Sequence, residues 1–125
     1  MDITPAIPAG QQVIERYGAG RFQISGQRYE GSVLVFVERT VAWSVTHIDE
    51  VDADTLAPVF AAAADLDLLL LGCGPHLVPV ESRLRRALRD LGVVVEPMDT
   101  GAACRTYNVL MAEGRRVAAA LIAVE

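Results

Sequence analysis

The spacing of apolar positions changes near residue 50. Before it, apolar residues alternate with polar ones or run together in short β-branched stretches. Phe22 and Ile24 flank Gln23, Gly26-Gln27 turns the chain toward Tyr29, and Ser32-Val33-Leu34-Val35-Phe36-Val37 is the kind of run that is buried on both faces of a sheet. Glu38-Arg39 turns this run into Val41, Trp43 and Val45, which share one face. Together these stretches predict antiparallel β-structure. Beyond residue 50, helical spacing alternates with compact apolar runs. Asp52 to Ala64 predicts a short helix with Asp54 or Thr55 as N-cap, an inner stripe of Leu56, Val59, Phe60 and Ala63, and Pro58 near its first turn. Leu68–Leu71 predicts a buried strand, closed by Gly72-Cys73-Gly74-Pro75. Pro79 is expected to open a second helix, with Leu84, Ala87, Leu88 and Leu91 at helical spacing and Gly92 as its C-cap. Val93-Val94-Val95 reads as another strand. Asp99 or Thr100 caps a third helix that runs to about Glu113 and stops at Gly114, and Val117–Val124 is the last strand.

The order is therefore βββ-α-β-α-β-α-β. Short apolar strands joined by a helix form parallel, right-handed units, so the chain is expected to fold as an α/β sandwich with a mixed central sheet and an antiparallel N-terminal section. Its 125 residues fit one domain, and a hydrophobic fraction of 52% excludes a disordered chain. Pro5, Pro8, Gly10, Gly18 and Gly20 punctuate the start. Residues 1–16 are read as an irregular lead, anchored in part by Val13-Ile14, and residues 17–125 as a single α/β domain. The first residues carry neither a basic region nor an apolar stretch, so no signal peptide is expected. The longest apolar run, Val117–Val124, is far short of the about 20 residues of a spanning helix. A cytoplasmic protein with no direct membrane insertion is expected.

Charge narrows the partners. Eleven basic residues, every one an Arg, stand against 16 acidic ones, for a net charge of −5. That balance argues against nucleic acid, which requires a basic stripe. The one basic cluster along the sequence, Arg83, Arg85, Arg86 and Arg89, falls on the polar side of the second helix and reads as a solvated face. Cys73 and Cys104, like His47 and His76, match no metal or redox spacing, so neither metal nor cofactor is expected.

Few segments are suited to chemistry. A Gly-rich turn before a helix can hold an anion, but a dinucleotide fingerprint would require Gly where Leu77 stands, and a P-loop requires a Lys. Gly72 and Gly74 are better read as letting the backbone turn at the carboxyl edge of the sheet. Cys104 lies in the first turn of the third helix, where the dipole favours a thiolate. No His accompanies it in sequence, although His47 or His76 could approach in space, and buried packing is the simpler account. The acids around Asp49–Asp54 and Asp65–Asp67 read as caps and turns. The most individual stretch is Met98–Leu110. There Ala103, Tyr107, Leu110 and Met111 would pack inward, while Arg105, Thr106 and Asn108 are more polar than packing demands; a purely structural account has Asp99 or Thr100 capping and Arg105 paired with an acid.

Met98-Asp99-Thr100-x-Ala102-Ala103-Cys104-Arg105-Thr106-Tyr107-Asn108-Val109-Leu110, followed by Glu113-Gly114-Arg115-Arg116-Val117, resembles the C-terminal signature of a family of small prokaryotic domains of unknown function related to mitochondrial complex I (NADH:ubiquinone oxidoreductase) assembly factor 3. Phe22-x-Ile24-x-Gly26-x-x-Tyr29-x-Gly31-Ser32, Trp43 and Leu71-Gly72-Cys73-Gly74-Pro75 agree, so the resemblance spans residues 17 to 124. It implies a three-layer fold around a mixed sheet of about five strands. For the mitochondrial relatives it also implies a non-enzymatic role in assembling complex I at the inner membrane.

Two functions follow as expectations. The first is an assembly or adaptor protein that contacts respiratory-chain or membrane-biogenesis proteins and lies peripheral to the inner membrane through a partner. Its contact surface would be the rim where residues 72–76 meet residues 98–108, formed by Cys73, Gly74, His76, Asp99, Cys104, Arg105, Thr106, Tyr107 and Asn108, with Trp43 beside it. The second is a small-molecule pocket or minor enzyme at the same edge, with Cys, Arg, Tyr and Asn as its polar groups.

Overall fold

The computed structural model describes residues 10–125. Eight strands and three helices follow in the order β1 (Ile14–Gly18), β2 (Arg21–Ile24), β3 (Gln27–Glu30), β4 (Val33–Phe36), β5 (Thr40–Ala42), α1 (Ala57–Ala61), β6 (Leu68–Gly72), α2 (Ser82–Asp90), β7 (Val94–Met98), α3 (Thr100–Ala112) and β8 (Val117–Leu121). Strands β5-β4-β8-β6-β7 form a mixed central sheet, and β1-β2-β3 form a separate antiparallel sheet. The expected α/β sandwich with an antiparallel N-terminal section is the fold observed.

The all-apolar strands β4, β6 and β8 occupy the middle of the sheet because both of their faces are covered. Leu34, Phe36, Leu69, Leu71, Ala118 and Ala120 point toward a core shared with α1 and α2. Val33, Val35, Leu70, Val117, Ala119 and Leu121 point the other way, toward α3 and the three-stranded sheet, where Phe22, Ile24, Cys104, Tyr107 and Met111 meet them. Each large side chain in these cores stabilises the fold by about 1.5–3 kcal/mol. Ala119 of β8 and Ala103 of α3 face the same layer, and their small side chains let α3 lie close against the sheet.

Local chemistry moved several boundaries. Strand β1 begins at Ile14, inside the expected irregular lead, because Ile14 pairs with Ile24 across a bulge that breaks the polar alternation at Glu15 and Arg16. Residues 1–9 of that lead lie outside the described residues. Helix α1 shrinks to five residues, flanked by single 3₁₀ turns at Ile48–Glu50 and Ala63–Asp65. Neither Asp54 nor Thr55 caps it; Leu56 holds that position, while Thr55 and Asp52 bond each other across a turn, Thr55 N to Asp52 Oδ1 at 2.8 Å. Helix α2 starts at Ser82 rather than Pro79. The Glu81 carboxylate caps it by accepting from Arg83 N and Leu84 N, and residues 77–81 form no regular element. Strand β5 ends at Ala42, so Trp43 and Val45 are buried in a connection rather than a strand.

Candidate functional site

Of the rim expected from sequence, residues 72–74 meet the start of α3, whereas residues 105–108 lie one to two turns further along that helix. Strands β6 and β7 are parallel, with Gly72 beside Met98, so the loop after β6 and the start of α3 emerge at the same edge. Cys73 N donates to Met98 O at 2.8 Å, and Thr100 N donates to Gly74 O at 2.8 Å. Thr100 joins the two segments. Its hydroxyl accepts from Gly74 N (3.0 Å) and donates to Ile122 O (2.7 Å), and the residue is fully buried. The close approach depends on Gly72, where a Cβ would stand 3.1 Å from Thr100 Cα and 3.0 Å from Leu121 Cδ2. Gly74 adopts φ +100°, a turn that glycine makes without strain.

The polar residues gathered here are largely committed to the fold. Asp99 caps α3, its carboxylate accepting from Ala102 N at 2.9 Å. Asn108 bonds both main-chain groups of Ile14, accepting from its N–H (2.9 Å) and donating to its carbonyl (2.7 Å), and so pairs β1 as a neighbouring strand would. Tyr107 is wholly buried and donates to Gln12 O at 2.9 Å; burial, with the nearby Glu38 carboxylate, drives its phenol above the ordinary range. Among the described residues Arg105 is not paired with an acid but donates to Tyr17 Oη at 2.7 Å, and the Tyr17 ring lies over Gly101. Thr106 is half-buried on the same helix.

Burial decides the thiols. Cys104 is 2% exposed, and desolvation pushes its thiol up from 9.0 to about 12 despite Arg105 beside it, reversing the dipole effect expected at a helix start. Cys73 is buried on the opposite face of the sheet, its sulfur 3.5 Å from the carbonyls of Leu71 and Val78. His76 is exposed, and His47 caps the Ile48–Glu50 turn, so neither imidazole is hydrogen-bonded to a thiol among the described residues. Trp43 does not sit beside the α3 rim. It packs in the α1–α2 layer with Nε1 donating to Thr55 O at 2.7 Å, because β5 delivers it to that face. Among the described residues no three His, Cys, Asp or Glu side chains converge as a metal site would require.

Among the described residues, three of the better-formed cavities lie elsewhere, and none of these is lined by Cys104, Arg105, Tyr107 or Asn108. One, of about 460 Å³, opens between the 48–53 segment, residues 78–81 and α2. Another, of about 520 Å³, lies near Val37, Glu38 and Arg115. The third, of about 500 Å³, is walled by Arg16, Arg21 and Arg28 on the three-stranded sheet. Of the basic residues read from sequence, Arg83, Arg86 and Arg89 are a solvated face of α2, whereas Arg85 is half-buried and reaches Val95 O. The arginine-walled cavity went unread because its residues belong to three different strands.

The family described as protein of unknown function (DUF498/DUF598) matches residues 14–122. An uncharacterised protein of Rhodobacter capsulatus is 41% identical over 114 residues, covering 91% of this chain and 86% of that one. Human NADH dehydrogenase (ubiquinone) 1 alpha subcomplex assembly factor 3 is 30% identical over 109 residues, covering 87% of this chain but 59% of its own length. The crystal structure of a Bartonella henselae protein, described as an outer membrane protein, superposes with a TM-score of 0.86 at 34% identity, covering 93% of this chain and 98% of that one.

Proposed function

The chain belongs to the DUF498/DUF598 family of proteins of unknown function, and on that footing we propose that it works without catalysis, as an adaptor that holds a polypeptide during assembly of a respiratory complex of the NADH dehydrogenase kind. The likeness to assembly factor 3 supports an assembly-factor role at the level of the family. The chain spans about 59% of the human factor's length, so partner and complex belong to the proposal.

One observation carries the non-catalytic reading: the groups of α3 that could do chemistry are already bound. The Cys104 thiol is sealed and protonated, and the Tyr107 hydroxyl and both ends of the Asn108 amide are held by main-chain atoms. What remains exposed suits contact instead. Val109 is 57% exposed and Leu77 59%, with Arg105 and His76 near them in sequence on the same two segments. An apolar side chain bordered by Arg is a common composition at interaction surfaces. Of the ten residues expected at the contact surface, His76, Arg105 and Thr106 would touch a partner, while the buried ones hold the fold in shape. No helix among the described residues is long and apolar enough to cross a membrane. A cytoplasmic position, peripheral to the membrane through the partner, accords with this reading.

Deleting the gene and measuring assembled complex I on a native gel tests it. Assembled complex should fall, recover with the unaltered gene, and fail to recover with Arg105→Glu/Val109→Asp, both exposed positions that leave the core intact. Undiminished complex I in the deletion strain, or a purified chain that turns over a metabolite, would overturn it.

A further inference from the structure

We propose that the outer face of the three-stranded sheet is a binding site for a phosphate-bearing ligand, formed by Arg16, Arg21 and Arg28 around a well left open by Gly18. The register builds it. Arg16 lies opposite Gln23, and Gln23 opposite Arg28, so these three form one cross-strand row; Gly18 lies opposite Arg21, and Arg21 opposite Glu30, forming the next row on the same face. Phe22 and Ile24 point the other way, into the core, which fixes the direction of both rows. Gly18 has φ +125° and no side chain, so the second row lacks its third member, and a cavity of about 500 Å³ opens there, with Tyr17 at its wall. That volume lies within the range of small-ligand sites.

The charges at this well are unbalanced in a chain whose net charge is −5. Glu30 is the carboxylate at hand. It bonds Arg28 Nε at 3.2 Å and stands 4.0 Å from Arg21 Nε, beyond hydrogen-bond reach. The Arg21 Nε is itself buried and, among the described residues, has no hydrogen-bond partner; Arg16 has no carboxylate within 4.0 Å among them. Glu15 accepts from Gly26 N at 2.7 Å, and the main-chain oxygen of Glu125 approaches Gly18. Glu30 answers the charge of Arg28 and stands near Arg21, so of the three guanidinium groups on adjacent strands Arg16 and the Arg21 Nε are left without a bonded acceptor among the described residues. Their forked donors match a phosphate, whose several oxygens can serve all three at once.

The full-length, ¹⁵N-labelled chain titrated with sodium pyrophosphate, against sodium chloride at matched ionic strength, tests the site by NMR. Saturable shifts confined to residues 16–18, 21–23 and 28 are expected. The double variant Arg16→Ala/Arg28→Ala, which alters only exposed side chains and should give an otherwise unchanged spectrum, should weaken binding at least about tenfold. Co-sedimentation with phosphatidylglycerol vesicles, against phosphatidylcholine, distinguishes the source of the phosphate. Retention that pyrophosphate reverses supports a lipid headgroup, and saturable pyrophosphate binding without retention supports a soluble small molecule. Absence of saturable shifts, or shifts of equal affinity in the double variant, overturns the proposal.

Discussion

Along α3, from the carboxyl rim at its start, Asp99, Thr100, Tyr107 and Asn108 have their polar atoms bonded to main-chain groups, whereas on the outer face of the β1–β3 sheet Arg16 and Arg21 present donors with no such partner. Both regions combine a glycine with clustered polar side chains. At the rim, Gly72 lets two backbones approach and the polar groups close the gap; on the sheet, Gly18 leaves a well open, with the main-chain oxygen of Glu125 at its margin. Polar clustering is therefore a poor guide to function until the partners of each atom are counted. A satisfied network rigidifies its surroundings, and an unsatisfied charged one is available to a ligand.

The comparison is most sharply tested at Thr100. Thr100→Val keeps the volume but leaves Gly74 N and Ile122 O buried without the hydroxyl that serves both. With each of the two orphaned groups costing about 1–3 kcal/mol, a loss of about 2–6 kcal/mol is expected, read as a lower midpoint in urea unfolding with an unchanged slope. A change below 0.5 kcal/mol would mean that the rim is not held by this hydroxyl, and the contrast with the open sheet would lose its basis.

The sequence carried the fold in its apolar runs: Val33–Phe36, Leu68–Leu71 and Val117–Leu121 are the middle strands because only a twice-covered strand tolerates such composition. It carried the convergence of residues 72–76 with α3 as well, since parallel β6 and β7 place their following segments at one edge. Tyr107 could be read both as inward packing and as contact surface, and helical period alone does not choose; the hydroxyl bonded to Gln12 O decides for the interior. Strand β1 was hidden by its bulge, and α1 was over-read because Leu56, Val59 and Ala63 do point inward although the backbone there is mostly single turns. The arginine well was illegible for a different reason. Positions 16, 21 and 28 share no helical or strand period, and only the register between three strands assembles them.

Alkaline pH probes the sealed side of the comparison with a smaller effect. Cys104 ionises near 9.0 when solvated and near 12 in the fold. The unfolded chain therefore releases this proton first as pH rises. The stabilising contribution is complete below pH 9 and disappears between about 9 and 12, at up to about 1.4 kcal/mol per pH unit. Denaturant midpoints measured from pH 8 to 11 should fall less steeply in Cys104→Ala than in the unaltered chain, whatever the offset between them at pH 8. Parallel curves would show that the thiol is not shielded as its burial implies.

The smallest effect, and the one that separates the two regions most directly, is expected at Arg16. It is exposed and has no acid within 4.0 Å among the described residues, so Arg16→Ala removes no partnered contact and should change stability by less than about 0.5 kcal/mol. The sign matters more than the size. If Arg16 is crowded by Arg21 and Arg28, its removal relieves repulsion and the variant is marginally more stable at low ionic strength; the gain should fade as salt shortens the Debye length from about 30 Å at 0.01 M to about 10 Å at 0.1 M. Such a salt-dependent gain would mean that the arginine is retained against the stability of the fold, as a ligand site would require. A loss above 1 kcal/mol, independent of salt, would mean instead that Arg16 has a structural partner like those of Asn108 and Thr100, and the two regions would then differ in exposure alone.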